Sequence, residues 1–446
     1  MGLHLITAAT VATWHMRLHR LLPPAHPQRT GLHNEVHARP PGRVRAPLAI
    51  SHLVMMCDTA QREASRAHVA KLLRDHHLPP PDAPSTYVCI EVGVFRLRWE
   101  LHTEFVTWTF SRPIEAHGFG EVDPVAAVES VPMEWLATLP GECLQAMHLW
   151  VLPNQPFSRA SLVKHVLNEE TLVGSKVADG HGEVYTDFTI HADGFSRVVL
   201  LAGGEIQPRL GRLVQQIIEI DTYRMAALMG LPAACEAADV LRHAECELAS
   251  LAGSICEAGR NEEPQLLDRL TRLAAKVERD YAATHSRLAA SASYFDLVDR
   301  RIADIGEERL NGLQTVGAFI SRRLTPARAT CASAVRRQDA LSQRVSRISN
   351  LLRTRVEVEQ QQSSQNVLAT MNRRQGLQLQ LQATVESLSV AAITYYIVCL
   401  VSVFAKGAHA LGWPFSAEGT AAFSIPVAAF CVWQALRSLH HRAFTT

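Results

Sequence analysis

The sequence predicts an α+β domain built on a mixed sheet, followed by a helical bundle, a long stalk helix and two C-terminal transmembrane helices. Three patterns predict this fold. Residues 46–204 contain stretches that alternate apolar and polar side chains, residues after Pro208 change to helical periodicity, and two uncharged apolar runs lie near the C-terminus. The chain has 446 residues, more than one hydrophobic core usually supports, so we expect two or more structural units.

The α/β part is predicted from its strand and turn patterns. Its expected elements are a buried strand at Leu48–Cys57, a helix at Gln61–Asp75, one half-buried strand at Tyr87–Leu101 and a partner strand at Glu104–Phe110. Segments Glu183–His191 and Phe195–Leu201 flank Asp193 and Gly194, and this dipeptide favours a tight hairpin. The sheet is therefore expected to be largely antiparallel.

Helices are predicted from Pro208 onward. The expected helices run to about Met229, then over Cys235–Gly259 and Pro264–Ile305. Thr325 and Pro326 suit the N-cap and first turn of a stalk helix that continues into the first apolar run. Apolar positions along this stalk are spaced for packing against partner helices, so a coiled coil and a homo-oligomer are expected.

Two runs without charge, Leu388–Ala405 and Thr420–Leu436, are long and apolar enough to cross a bilayer as a hairpin. Arg373 and Arg374 precede the first run, and Arg437 follows the second, so positive charge flanks the two outer ends. By the positive-inside rule, the N-terminus and the C-terminus are both expected in the cytoplasm. The alternative is a hairpin buried in a soluble core.

These signals give a predicted domain order. It consists of an N-terminal extension (1–29), an α/β cytoplasmic domain (30–207), a helical region (208–324), the stalk helix (325–387), the transmembrane hairpin (388–436) and a cytoplasmic tail (437–446).

The composition limits the classes of partner that we expect. Lys and Arg number 44 and Asp and Glu number 43, so no net field attracts a polyanion, and nucleic acid is not an expected partner. Nine cysteines without a C-x-x-C pair are typical of the reducing cytoplasm. No phosphate-binding loop, dinucleotide fingerprint or nucleophile elbow occurs, so the sequence names no catalytic residue and leaves the cofactor unknown.

The segment His33–Pro41 is the first candidate site. On an extended chain His33, Glu35 and His37 project from one face and could bind a divalent metal ion, and Arg39 on the same face could bind an anion. The alternative is a structural cluster of hydrogen bonds and ion pairs that holds the N-terminal segment in place.

A polar row on the predicted strands is the second candidate site. Arg96, Arg98, Glu100 and His102 alternate with apolar side chains and could bind a ligand or an anion; Glu104 continues the row. The alternative is the solvated face of a sheet edge. A third set, Asp187, His191 and Asp193, is interpreted as side chains that stabilise the hairpin turn by hydrogen bonds.

A stripe of small or weakly polar residues follows one side of the first apolar run, and Lys406 lies at its end. It consists of Ser387, Ala391, Thr394, Val398, Ser402 and Ala405. In an oligomer it could line a pore, or it could be the surface where helices touch.

Several of these segments together resemble a known family. The motifs HNEVHARP, RLRWELHTEF, TDFTIHADGFSR, YRMAALMGLP and SVAAITYY are similar to those of an uncharacterised bacterial membrane-protein family, domain of unknown function 3422, from about Thr30 to the end. The resemblance implies a membrane protein, in the bacterial inner membrane, and no substrate. The layout also resembles the CorA divalent-cation channels, although Ala405-Lys406-Gly407-Ala408 stands where that family has Gly-Met-Asn.

Three functions follow as hypotheses. The leading one is a membrane-anchored homo-oligomer whose cytoplasmic domain binds or senses a ligand and transmits this along the stalk. The second is a CorA-like ion channel or transporter. The third is a membrane-tethered, metal-dependent enzyme that uses His33, Glu35 and His37.

Overall fold

The computed structural model describes residues 26–29, 33, 42, 44–82, 85–115, 124–154, 165–204, 209–259, 262–410, 414 and 416–443. They form two compact units. The first contains the chain up to Ala252 together with Leu270–Ser346, and the second contains Gly253–Arg269 and the chain from Arg347 onward.

The first unit is built on a mixed sheet with nine strands among the described residues. The strands are β1 (Leu48–Met56), β2 (Tyr87–Val92), β3 (Phe95–Leu101), β4 (Phe105–Pro113), β5 (Glu142–Pro153), β6 (Val173–Val177), β7 (Gly182–Thr186), β8 (Ser196–Ala202) and β9 (Glu308–Arg309). Their order is β2-β3-β4-β1-β5-β8-β7-β6-β9. Only β5 and β8 pair in parallel among these strands, so the expectation of a mixed, largely antiparallel sheet is confirmed.

Seven α-helices lie in the described residues. They are α1 (Thr59–Asp75), α2 (Met133–Leu136), α3 (Leu210–Leu228), α4 (Gly230–Glu257), α5 (Glu263–Asp304), α6 (Val316–Ala410) and α7 (Ala417–Ala443). The helices expected at Gln61–Asp75 and from Pro208 to about residue 305 are therefore present, with ends shifted by a few residues.

The prediction of one strand over Tyr87–Leu101 is wrong, because the chain turns back at Gly93. Gly93 has a φ of 60°, a conformation that favours glycine. Val92 and Phe95 pair on either side of this two-residue turn, so β2 and β3 form a hairpin.

The predicted tight hairpin at Asp193 is also longer than expected. Strands β7 and β8 pair antiparallel, but β7 already ends at Thr186. The next residue, Asp187, is buried and accepts hydrogen bonds from the backbone N–H groups of Asn168 and Thr189 and from His191 Nε2. These bonds turn the chain away from the sheet before it reaches Gly194.

Each face of the sheet carries a different core. The first core packs beneath α1 and α2 and includes the fully buried Trp99, Trp108 and Trp150. The second packs the opposite face of the central strands against α3 and the helices after it, and includes Leu149, Ile217 and Phe295. Burial of such a side chain contributes about 1.5–3 kcal/mol, so the two cores fix which face of each strand is apolar.

The predicted start of the stalk helix at Thr325 is wrong, because α6 already begins at Val316 and Pro326 lies inside it. Ser175 Oγ accepts the N–H of Val316 at 2.9 Å, and the Glu307 carboxylate accepts that of Gly317 at 3.0 Å. The free backbone N–H groups at the helix start are thus satisfied nine residues earlier than expected. Thr325 instead donates its hydroxyl to the Ser321 carbonyl.

Among the described residues, one helix is long and apolar enough to cross a membrane, within Val316–Ala408 of α6. It contains the first predicted span. The second predicted span lies in α7, which is helical but does not meet the same measure in the described residues. The transmembrane hairpin therefore stays a prediction.

Candidate ligand-binding cavity

A cavity of about 470 Å³ lies in the first unit between the sheet and α3. This volume is in the range of small-molecule sites, roughly 300–1,000 Å³. Its floor consists of the side chains of β1 to β4 that point toward α3, and Val214, Ile218, Thr222 and Tyr223 of α3 form its wall.

The floor of the cavity is polar even though a helix covers it. Polar side chains on it are His52, Glu91, Arg96, Arg98, Glu100, His102, Thr107, Thr109 and Ser111. A sheet face that packs against a helix is normally apolar, as the opposite face of β3 is with Phe95, Leu97 and Trp99. The predicted polar row thus lines one cavity. The side chains of Arg98 and Glu100 are largely buried in it, whereas that of Arg96 is 39% exposed, so the ligand site and the solvated sheet face both stay open as interpretations.

Arg98 and Glu100 form a largely buried ion pair on this floor. Their side chains are only 15% and 12% exposed, and Arg98 Nη2 donates to Glu100 Oε1 at 3.0 Å. Burial lowers the pKa of Arg98, but the Glu100 carboxylate outweighs this and raises it. The guanidinium is therefore charged, and its buried Nε has no acceptor among the described residues.

His52 joins the floor of the cavity to its wall. Its Nδ1 lies 2.8 Å from Thr109 Oγ1 on β4, and its Nε2 lies 3.2 Å from Thr222 Oγ1 on α3. Burial, then the nearby charges of Arg98 and His102, lower the pKa of His52 to about 3, against the raising effect of Asp221. The ring is therefore neutral at pH 7 and acts as a bridge.

Acidic groups around the cavity each have a cationic partner. Arg96 Nε donates to Glu91 at 2.6 Å, Arg98 pairs with Glu100, and Arg301 of α5 pairs with Glu219. Arg45 at the rim is exposed, and no ion pair to it is seen within the described part of the chain. Three arginines and three glutamates line the cavity, so the charges of these groups balance.

Glu104, the last member of the predicted polar row, does not line the cavity. Its carboxylate accepts from Arg287 at 2.9 Å and from the Tyr294 hydroxyl at 3.0 Å, both on α5. Burial and then Glu104 raise the pKa of Tyr294. Glu104 thus links the turn between β3 and β4 to α5 through these two contacts.

The N-terminal candidate site falls largely outside the described residues. His33 is described and exposed, whereas Glu35, His37 and Arg39 are not described. No group of three or more His, Cys, Asp or Glu side chains that could hold a metal ion occurs among the residues that the structure describes. A metal or anion site at His33–Arg39 stays a prediction.

A serine, a histidine and an aspartate meet on the opposite side of the sheet. Ser51 Oγ lies 2.9 Å from His148 Nδ1, and His148 Nε2 lies 4.0 Å from Asp193 Oδ2. Burial lowers the pKa of His148 to about 4, partly offset by Asp193. Ser51 is fully buried and accepts the Val128 N–H at 3.0 Å, so its hydroxyl holds a loop rather than acting as a nucleophile.

The stripe of Ser387, Ala391, Thr394, Ser402 and Lys406 lies along α6 in the second unit. Lys406 is exposed, and the buried Thr394 hydroxyl has no partner among the described residues. A single chain does not test whether the stripe lines a pore or packs against a helix, so both interpretations stay open.

Sequence reasoning missed part of the cavity. Thr107, Thr109 and Ser111 follow the same alternation as the polar row, and pairing β4 with β3 in register would have placed them beside it. Thr222 and Tyr223 carry no such signal, since the face of α3 that meets the sheet depends on tertiary packing.

A comparison with protein-family profiles matches residues 24–443 to DUF3422, a protein family of unknown function. The chain belongs to this family. The DUF3422 match includes every residue that lines the cavity and the apolar part of α6. No curated protein and no solved structure matched the chain, and the resemblance in layout to CorA channels is not supported.

Proposed function

We propose that this DUF3422 protein is a membrane-anchored binding protein whose first unit holds a small molecule in the cavity under α3. The observation that supports the binding role is the polar face of the sheet that lines the cavity and is covered by α3. Folding alone favours apolar side chains there, so a cluster of charged and hydroxyl groups around an open volume is typical of a functional site.

The membrane anchor rests on α6. Its most apolar stretch is only 11% buried within the chain, which favours a membrane span over a core helix. Side chains such as Leu400, Val403 and Phe404 are 70–80% exposed. A bilayer would cover this surface. A second span in α7, with both chain termini in the cytoplasm of a bacterial cell, belongs to the same proposal.

Contacts within the first unit could carry a binding signal to α6. Tyr223 of the cavity wall stacks on Tyr294 of α5 with ring centroids 5.9 Å apart. Asp299 of α5 pairs in turn with Arg328 of α6 at 2.7 Å. A ligand that shifts α3 would therefore shift helices that pack on the start of α6, which is the sensing role that we propose.

A homo-oligomer is the second part of the proposal. Leu381, Val385 and Leu388 of α6 are spaced four and three residues apart and are 62–73% exposed. This is the spacing of a coiled-coil seam, so a second copy of α6 is the partner that would cover it. Light scattering of the purified full chain should give a mass above that of one chain.

The binding role is tested by filling the cavity of the full chain. We would reconstitute the protein in lipid nanodiscs and measure saturation-transfer NMR signals of benzyl alcohol, benzylammonium and benzoate, with empty nanodiscs as background. Ile218→Trp puts an indole into the cavity from α3. Gln216→Trp, on the same helix but outside the lining, is the matched control.

At least one probe should bind the unchanged protein, lose its signal in Ile218→Trp and keep it in Gln216→Trp. If no probe binds, or if binding is equal in the two variants, the cavity is not a binding site.

A further inference from the structure

We infer that the cavity takes an uncharged small molecule with an apolar body and a hydrogen-bonding group such as a hydroxyl. This inference rests on the proposed binding role and names the class of ligand. Three features of the lining support it: its charged groups balance and are paired within the protein, hydroxyl groups on β4 offer hydrogen bonds without charge, and apolar side chains line the rest of the volume.

The charged groups around the cavity leave no net charge for a ligand to neutralise. Three arginines and three glutamates line it. Each glutamate is already paired with an arginine, in the pairs Glu91–Arg96, Glu100–Arg98 and Glu219–Arg301. Arg45 is exposed at the rim, where an ion pair contributes little. The lining therefore offers neither a spare carboxylate to a cation nor a spare enclosed guanidinium to an anion.

A charged ligand would lose part of its hydration in this cavity without gaining an opposite charge. Burial of an unpaired ion costs far more free energy than burial of a neutral polar group that forms a hydrogen bond. Burial also lowers the pKa of His52 to about 3, so the ring adds no charge at pH 7. The lining consequently favours an uncharged ligand over an anion or a cation of the same shape.

Hydroxyl groups of β4 can bind such a ligand. Thr109 and Ser111 point to the same face of the strand and line the cavity, and both are partly exposed. The neutral ring of His52 donates through one nitrogen and accepts through the other, so one of its two partners, Thr109 and Thr222, keeps its hydroxyl hydrogen free. No side-chain hydrogen bond of Ser111 is seen within the described part of the chain.

The rest of the lining suits an apolar body. Ile50 and Phe105 on the floor and Val214 and Ile218 on the wall are hydrophobic, and they line the same volume as the hydroxyl groups. Such side chains supply non-directional contact, while a few polar groups fix the orientation of the ligand. The cavity thus combines an apolar surface with uncharged hydrogen-bonding groups.

The first test compares three probes that share a ring and differ in charge. Benzyl alcohol, benzoate and benzylammonium are titrated against the full chain in nanodiscs by saturation-transfer NMR, and the signal of Ile218→Trp nanodiscs is subtracted as background. Benzyl alcohol should bind most tightly, and cyclohexanol should displace it whereas cyclohexanecarboxylate and cyclohexylammonium at equal concentration should not. Tighter binding of either charged probe would overturn the inference.

The second test changes the charge balance. Glu100→Gln leaves the lining with one excess positive charge, so the affinity for benzoate relative to benzyl alcohol should rise by roughly 10-fold. Arg98→Gln combined with Glu100→Gln restores the balance and should restore the preference for benzyl alcohol. A general loss of structure would weaken both probes in both variants. An unchanged ratio in Glu100→Gln would show that charge balance does not select the ligand.

The third test removes the hydroxyl groups. Ser111→Ala and Thr109→Val keep the size of the side chains close to the original, and at least one of these variants should bind benzyl alcohol roughly 3-fold to 10-fold more weakly. Ser111→Thr retains a hydroxyl group at this position and is the matched control, in which affinity should be unchanged. Equal binding in all three variants would overturn the assignment of the hydrogen bond to β4.

The outcomes distinguish the inference from the function on which it rests. Benzoate or benzylammonium bound in a manner that Ile218→Trp abolishes, with benzyl alcohol unbound, would overturn the uncharged ligand and leave the binding role intact. Binding by none of the three probes would overturn both.

Discussion

His52 shows how one side chain links the sheet to the helix that covers it. Both ring nitrogens are used, one by Thr109 of β4 and the other by Thr222 of α3. Only a neutral ring can accept a hydrogen bond through one of these nitrogens, and burial beside Arg98 favours the neutral form as well. The stability of the first unit should therefore depend on pH through this residue.

We expect acid to destabilise the protein through His52. Its pKa lies at about 3 in the folded chain and at 6.5 when unperturbed, so the unfolded chain binds the proton first. The stabilisation is present above pH 6.5 and is lost as the pH falls toward 3, by about 1.4 kcal/mol per unit. Chemical denaturation of the protein and of His52→Gln, at pH 7 and at about pH 5, measures this difference.

His52→Gln should reduce the pH dependence, because glutamine can keep hydrogen bonds to both threonines and does not titrate. The contribution of His148, whose pKa burial lowers to about 4, should remain in this variant. His243→Gln, an exposed site on α4, is the control and should retain it. Equal slopes in the protein and in His52→Gln would contradict the role given to this ring.

Individual site residues were predictable to different degrees. Arg96, Arg98 and Glu100 follow from strict alternation on β3, which fixes their shared face whatever the tertiary fold. His102 continues the alternation directly after the strand. Whether that face meets water or a helix depends on where α3 returns, and nothing local records this. His52 was missed because it lies in an apolar run that predicts a strand buried on both faces.

At the scale of elements, the start of α4 lies very close to α5 and α6. A Cβ atom added at Gly230 would lie 2.4 Å from Ser291 Oγ and 2.7 Å from Ser291 Cβ. Ser291 is fully buried, so it cannot move into solvent. Gly230 is thus required by the close approach of two helices.

Gly230→Ala should destabilise the protein by about 1–3 kcal/mol, because the added methyl group overpacks the contact with Ser291. Thermal or chemical denaturation of the first unit within the full chain measures this change. Gly253→Ala in the same helix is the matched control, since no atom lies within 4 Å of its added Cβ. Alanine is the better helix former there and should stabilise slightly.

Shortening the facing side chain should partly restore Gly230→Ala, so the double variant with Ser291→Gly should be more stable than Gly230→Ala alone. Equal stability of Gly230→Ala and Gly253→Ala would show that the two helices do not approach as described.

Predictions of single elements were wrong where the local sequence pattern and the tertiary contacts favour different boundaries. Gly93 was a visible turn residue, but the alternation on both sides of it looks continuous across the turn. Thr325 and Pro326 suit a helix start, yet the helix is capped at Val316. One cap, Ser175, is distant in the chain, and the other, Glu307, lies in the segment just before the helix. Patterns of many residues, such as the helical period after Pro208, predicted their elements correctly.

At the scale of the whole molecule, the two units differ in what they do with apolar residues. In the first unit they form two cores on the faces of the sheet. In the second, large apolar side chains of α6 and α7 such as Leu400, Phe404 and Phe423 are 71–80% exposed. Exposing such a surface to water is unfavourable, so we expect lipid to surround the apolar part of α6.

Charge placed in this part of α6 should weaken membrane attachment. Leu400→Arg with Val403→Arg puts two guanidinium groups into the predicted span, at a cost of roughly 2.5–3.5 kcal/mol each near the bilayer centre. Leu351→Arg is the control, on the same helix, equally exposed at 73% and outside the apolar stretch. A larger share of the double variant than of the control should be released from membranes by an alkaline carbonate wash.

The most direct measurement is the behaviour of the unchanged full chain in the same wash. If α6 enters the bilayer, the protein remains in the membrane pellet after carbonate and is released only by detergent. If it appears in the supernatant without detergent, α6 does not span a membrane.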